Sequence, residues 1–320
     1  MSWKNFPDLG RQGQITYLTM QDGTSLRTAS WPAQEGSRGI IVLVNGYREY
    51  MEKYSEFIGE FLQRGFALYT LDNRGQGLSD RLLPGRFRSH SEGFGLFSSD
   101  LQEVISRLVM SDPRAKELPL YLVGHSMGGH ICLRYMHDFP GIIDKAVLMA
   151  PMIEFRLGGE IVRNISKFLI RLACRAGFKR HFAFGQSAKH SEASYSKKRD
   201  YIRQKLLTHD KKRYAVEADI ISANPGLYVG GSTFGWLNCA LDSIQKIQKP
   251  GFIAAITVPI LGILAGDDQV VDSQASVKYL SGNDNIRLVT IQDARHEIYR
   301  EIDEYREQLW QKIDGFLCFK

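Results

Sequence analysis

LPLYLVGHSMGGHICLRYM (118–136) is the stretch that decides the fold. Leu118–Val123 is an apolar run ending at a glycine, the pattern of a strand buried on both faces. Ile131, Cys132, Tyr135 and Met136 then recur at helical spacing. Between the two lies Gly124-His125-Ser126-Met127-Gly128, a match to G-x-S-x-G. The pentapeptide alone carries little weight. A strand before it and a helix after it supply the setting that a nucleophile elbow requires. Such a turn holds its serine in a strained conformation, with the hydroxyl above the sheet at a helix N-terminus. The helix dipole there favours developing negative charge. The neighbours must be small, which accounts for Gly124, Gly128 and Gly129, and Ser126 is the candidate nucleophile.

Strands alternate with helices on either side of this unit. Residues 15–20 and 25–31 are rich in β-formers around Asp22-Gly23 and predict a hairpin. GIIVLVNG (39–46), FALYTLD (66–72), 142–150, VPILGILAG (258–266) and IRLVTI (286–291) predict further strands. Helices are expected over 53–64, ended by Gly65, over 94–110, over 127–139 and over about 301–318. The alternation implies a mostly parallel sheet covered on both faces, with the hairpin supplying antiparallel edge strands. It breaks between about 152 and 252, a helix-like, basic segment. The expected organisation is a core of 1–151 and 253–320 with a helical cap, 152–252, inserted between its parts.

The net charge of +6 is concentrated in that insertion. Residues 151–252 hold 18 Lys/Arg and 8 Asp/Glu, a balance of +10, whereas the remaining 23 and 27 give −4. Such asymmetry points to an anionic partner. No nucleic-acid motif accompanies it, so an anionic membrane surface or a phosphate-bearing lipid is the simpler match. Within the insertion, 160–176 predicts a helix with Ile161, Ile165, Phe168, Leu169 and Leu172 on one face. Arg163, Lys167, Arg171 and Arg175 occupy an adjoining face. This is the pattern of a helix lying on an anionic membrane, and equally of one packing its apolar side on the core. No run approaches the ~18 apolar residues of a membrane span. MSWKNFPDLGRQG (1–13) lacks the apolar region of a signal peptide. Cys132, Cys174, Cys239 and Cys318 form no C-x-x-C pair and fit reduced thiols in a cytoplasm.

A serine nucleophile needs a base, and proteins with this elbow run in the order serine, acid, histidine. His90 precedes Ser126, while His125, His130 and His137 lie on the elbow or its helix. His181, His190 and His209 fall in the insertion. His296 alone follows the last core strands and is the candidate base. The acid belongs at the end of strand 258–266, where Asp267, Asp268 and Asp272 are candidates, and position does not separate the first two. The oxyanion hole calls for two backbone N–H groups, one from Met127 and one from the Asn45-Gly46-Tyr47 loop, with Tyr47 the expected donor.

With these residues placed, the chain resembles the monoacylglycerol lipase–lysophospholipase group of α/β-hydrolases. It is most similar to bacterial lysophospholipases associated with the inner membrane. NGYREYMEKYSEF (45–57), LDNRGQGLSDR (71–81), GHSMGG (124–129), AGDDQVVD (265–272) and DARHEIYRE (293–301) carry the resemblance. LLTHDKKRY (206–214) and VGGSTFGW (229–236) favour the lysophospholipases within that group. In this group the acid is followed by one variable residue and a Val-Val-like pair, which selects Asp268. Asn45 stands where most relatives have histidine. The resemblance implies the α/β-hydrolase fold, ester hydrolysis of a lysophospholipid without metal or organic cofactor, and acyl transfer to another lipid alcohol as a side reaction. It also implies a cytoplasmic protein resting peripherally on the inner membrane. A monoacylglycerol lipase or general carboxylesterase would share every catalytic residue. A ligand-binding protein that had lost catalysis would lack one of them.

Overall fold

The computed structural model describes residues 13–85, 87–156, 158–186 and 203–317. His190, Cys318 and most of the N-terminal stretch lie outside the described residues. The chain forms an eight-stranded sheet in the order β1-β2-β4-β3-β6-β7-β9-β10. The hairpin is β1 (Gln14–Thr19) and β2 (Ser25–Trp31), paired antiparallel about the Asp22-Gly23 turn. Gly23 adopts φ 84°, which glycine reaches without a steric penalty. β2 also runs antiparallel to β4 (Ala67–Leu71). From β4 the sheet continues in parallel through β3 (Ile40–Val44), β6 (Leu120–His125), β7 (Lys145–Met149), β9 (Ile260–Ala265) and β10 (Ile286–Ile291).

The inner parallel strands β4, β3, β6, β7 and β9 are mostly apolar because both faces are covered, whereas the edge strand β10 exposes Arg287 and Thr290. Ile40, Val42 and Val44 join one buried cluster with residues of α2 (Gly95–Val104) and α3 (Met127–Asp138). Ile41 and Leu43 join the opposite cluster with α1 (Ser55–Gln63) and α8 (Asp303–Leu317). α1 stops at Gly65, whose φ of 81° lets its N–H reach Leu62 O and that of Phe66 reach Phe61 O, a Schellman closure. The single helix expected over 94–110 is α2 followed by a wider π turn at Ile105–Val109.

Between β7 and β9 the chain forms α4 (Glu160–Arg175), α5 (Lys211–Ala223) and α6 (Phe234–Ile247). α6 packs Trp236, Ala240 and Ile244 into the core cluster, and α4 rests on α6 through Ile170, Cys174 and Leu241. A two-stranded ladder, β5 (Arg88–Ser89) with β8 (Gly231–Ser232), ties this segment to the loop after β4. Neither the ladder nor α7 (Ser273–Leu280) was expected from the sequence. α7 starts at Asp272, whose carboxylate accepts the N–H groups of Gln274 and Ala275. That N-cap role removes Asp272 from the candidate acids.

α4 carries its two faces as the sequence spaces them, and the structure turns the apolar one outward. Ile161 is 76% exposed and Phe168 63%, with Val162, Ile165, Leu169 and Leu172 also exposed. The cations turn instead to acidic or amide partners. Lys167 meets Glu154 at 2.7 Å, Arg171 meets Gln245 at 2.7 Å and Asp242 at 3.6 Å, and Arg163 lies 3.8 Å from Asp272.

α3 approaches β3 so closely that a Cβ on Gly128 would sit 2.0 Å from the carbonyl oxygen of Val44. Gly128→Ala is therefore expected to cost about 3 kcal/mol, the upper end of overpacking penalties. Urea unfolding measures it, and a change within 0.5 kcal/mol, roughly the surface-mutation scale, would refute the close packing.

Candidate active site

The elbow between β6 and α3 places Ser126 at φ 53°, ψ −115°, a left-handed conformation that costs a non-glycine residue on the order of 1–3 kcal/mol. Packing holds it there. The Ser126 N–H donates to Met149 O at 2.9 Å, and its carbonyl accepts from His130 N at 3.1 Å and Met152 N at 3.0 Å. A Cβ on Gly124 would meet the Gly128 backbone at 2.8 Å, so glycine is needed on both sides of the turn.

His296 Nε2 lies 2.9 Å from Ser126 Oγ, and its Nδ1 lies 2.8 Å from Asp268 Oδ2. A carboxylate accepts only, so Nδ1 carries the hydrogen and Nε2 is left to accept from the serine hydroxyl. The loops carrying acid and base are joined by main chain, with Asp267 N–H donating to Ala294 O at 2.9 Å and Gly266 N–H to Ile291 O at 3.0 Å. Asp268 Oδ1 accepts from the N–H groups of Val270 at 2.8 Å and Val271 at 2.9 Å. Burial pushes the Asp268 carboxyl up, but His296 and these two N–H groups outweigh it and hold the carboxyl below its usual range. Burial likewise opposes charge on His296. The charge and hydrogen bond of Asp268, with the charges of Glu297 and Glu49 behind, raise the imidazole above the ordinary histidine value.

Geometry separates the acids that position leaves tied. Asp268 is 1% exposed and faces His296, whereas the Asp267 side chain is 45% exposed and lies near Arg295 and Gln269. Among the described residues, neither the N–H of Met127 nor that of Tyr47 is taken by a protein acceptor. The Tyr47 side chain is fixed apart from its backbone, its hydroxyl 2.7 Å from Ser232 Oγ and its ring centroid 4.0 Å from that of Trp236. Asn45 is buried and donates to Leu71 O, so it braces the strand end. Arg74 is paired with Asp100 and Asp22.

The other described histidines have separate partners. His130 bonds Met152 O and Ser243 Oγ and is pushed down to about 4 by burial. His90 bonds Thr233 and Glu92, His137 pairs with Asp138, and His209 pairs with Glu301. His125 lies beside His296, its Nε2 donating to the main-chain carbonyl of that residue at 3.0 Å. Glu49 was missed by sequence reasoning. Its one signal is an acidic residue three places after Gly46, in a loop otherwise read for its backbone.

Comparison with known proteins matches residues 35–303 to the family Hydrolase_4, described as "Serine aminopeptidase, S33". The chain is similar to the probable lysophospholipase L2 of Haemophilus influenzae, 29% identical over 280 residues, covering 88% of this chain and 84% of that protein. It is also similar to lysophospholipase L2 of Escherichia coli, 28% identical over 319 residues, covering 97% and 88%. Among solved structures, a soluble variant of monoglyceride lipase from Saccharomyces cerevisiae in complex with a substrate analog superposes with TM-score 0.76 at 21% identity, covering 95% and 94%. That likeness shows the α/β-hydrolase fold.

Asp268→Asn is expected to lower kcat by about 10³–10⁴-fold, while Asp267→Asn stays within about twofold. The His296 shift also has a sign that kinetics reads. A base must be neutral, so kcat/KM is expected to fall on the acid side through a pKa above the ordinary ~6.5. Asp268→Asn removes the main source of the rise and moves what activity remains toward lower pH. Steady-state kinetics across pH checks both outcomes.

Proposed function

The chain belongs to the Hydrolase_4 family, and we propose that within it this protein is a serine esterase acting on lysophospholipids. One observation carries the reading: the hydrogen-bonded chain Ser126–His296–Asp268 at a strained elbow, in a protein whose lysophospholipase relatives match it over most of its length. His296 takes the Ser126 proton as the oxygen attacks the acyl carbonyl. The N–H groups of Met127 and Tyr47 hold the tetrahedral oxyanion. His296 then gives the proton to the departing glycerol alkoxide, leaving an acyl-serine. Water, or a second lipid alcohol, attacks that ester with His296 again acting as base. Asp268 keeps the imidazole in the required tautomer and stabilises its charge.

Residues 152–252 act as a cap between the core parts 1–151 and 253–320. No helix among the described residues is long and apolar enough to cross a membrane, so contact with lipid is peripheral in this reading. The outward ridge of α4, Ile161, Val162, Ile165, Phe168, Leu169 and Leu172, inserts among the acyl chains of an anionic bilayer on its cytoplasmic face. The net charge of +10 over residues 151–252 adds electrostatic attraction to its anionic head groups. Since Arg163, Lys167 and Arg171 engage protein partners, the ridge dominates the contact.

Monoacylglycerol lipase activity is the second reading, favoured by the structural likeness to the yeast monoglyceride lipase. A panel of lysophosphatidylcholine, lysophosphatidylethanolamine, monoacylglycerol and a short p-nitrophenyl ester decides between them, and highest kcat/KM on the two lysophospholipids is expected. Ser126→Ala should lower turnover by roughly 10⁶-fold, and near-wild-type rates in that variant would end the proposal. Ile165→Glu with Phe168→Glu should abolish sedimentation with anionic vesicles while leaving hydrolysis of the soluble short ester within about twofold, since both side chains are exposed. Unchanged sedimentation would remove the membrane role.

A further inference from the structure

Behind the site lies a second histidine–carboxylate pair that the mechanism above does not use. Glu49, His125, Tyr54 and Tyr299 are all buried. The Glu49 carboxylate is shared among three parts of the molecule. Its Oε2 accepts from the N–H of Gly46 at 2.6 Å, accepts from the Tyr54 hydroxyl, and lies 3.2 Å from His125 Nδ1. Its Oε1 accepts from Lys53 Nζ and from the Tyr299 hydroxyl, each at 3.2 Å. Any side chain on Gly46 would collide with this carboxylate, because a Cβ there would sit 2.3 Å from Oε2. Burial pushes the Glu49 carboxyl up, but Lys53 and His125 more than offset this and hold it well below the usual range.

His125 passes the constraint on. Its Nε2 carries a hydrogen, since the group it meets, the main-chain carbonyl of His296 at 3.0 Å, can only accept. That carbonyl belongs to the base itself. Lys53 holds the next residue, Glu297, at 2.6 Å. One carboxylate thus ties together the loop carrying the Tyr47 N–H, the strand entering the elbow, and the loop presenting the imidazole. Errors of about 1 Å in such placement cost on the order of 10²-fold in rate.

We propose that Glu49 and His125 are positioning residues, Glu49 orienting the His125 ring and His125 fixing the main chain of His296 so that its Nε2 meets Ser126. The proposal rests on His296 being the base. It predicts an effect on kcat, because a displaced base impairs reaction of bound substrate more than binding.

Glutamine places its amide nitrogen as many bonds from Cα as His125 Nε2, and methionine has similar length without a donor. His125→Met is expected to lower kcat about 30-fold with KM within about twofold, and His125→Gln to recover to within about fivefold of wild type. Equal kcat for the two variants, or a change confined to KM, overturns the role. Where His125→Met fails to fold by thermal melting, Glu49→Gln carries the test. The titratable and charged groups facing His296 are Asp268, Glu297, Glu49 and the His125 ring, its centroid 4.9 Å away, with Lys53 and Arg300 neutralising Glu297 from behind. Removing the Glu49 charge lowers the His296 pKa, so the acid limb of kcat/KM should move to lower pH as kcat falls, and an unmoved limb overturns the proposal. Fluorophosphonate labelling of the wild-type enzyme separates the two levels. Labelled Ser126 with equal Met and Gln variants removes the positioning role alone, whereas an unlabelled wild type removes the mechanism and this proposal together.

Discussion

The site depends on one close approach, that of the α3 backbone to the end of β3 at Gly128, where no side chain fits. The approach lets a helix start directly at the carboxyl edge of the sheet and forces the residue before it to φ 53°. A serine does not adopt that conformation for its own sake. It is held by the hydrogen bond from its N–H to Met149 O and by the two that reach its carbonyl from His130 and Met152. The Met149 partner is in place because β6 and β7 are in register up to His125 and Met149. The strain at Ser126 is thus offset by sheet and helix contacts elsewhere, and its effect is to aim the hydroxyl at His296 beyond the sheet edge.

Around that fixed point the protein buries charge on a scale that burial alone would forbid. Lys53 reaches Glu49, Glu297 and, at 3.5 Å, Glu217, while Arg300 reaches Glu297 and Glu217. Removing one member of such a set leaves an uncompensated charge and costs about 3–5 kcal/mol, whereas the intact set adds little net stability. Its effect is specificity of placement. Glu217 comes from α5, between β7 and β9, so that segment is bound through ions to the loop next to His296. α6 is bound differently, by Trp236, Ala240 and Ile244 in the apolar core. Both attachments lie in the later half of the segment, and α4 is carried on α6.

The parts legible in the sequence are those set by local pattern. Strand 40–44 and its neighbours are apolar because both faces are covered, and the hairpin turns where Asp22-Gly23 permits. Chain order alone led to His296, whose ring the structure sets against Ser126. Position does not separate Asp267 from Asp268, because one step along a loop reverses burial; the family's spacing selects Asp268, and the structure turns that side chain toward His296. α7 is not legible, because its eight residues bury only Ala275, Ser276 and Leu280 and so make no apolar stripe at helical spacing. Glu49 and the ladder of β5 with β8 were not legible. Both depend on partners far along the chain, such as Tyr299 and Ser232, that no local period announces.

The orientation of α4 lies furthest from sequence. Its spacing describes two faces, and which one turns inward depends on what waits there. Glu154, Asp242, Gln245 and Asp272 stand on the protein side and draw the cations in, so the ridge from Ile161 to Leu172 turns outward. For a domain stable in water alone the reverse arrangement would be better, because burying each such side chain is worth about 1.5–3 kcal/mol. A contiguous apolar surface retained against that gradient is the observation on which the proposed bilayer contact rests. In that proposal the acyl tail of the ester resides in the phase the ridge enters, so the tail would pass to the serine without crossing water.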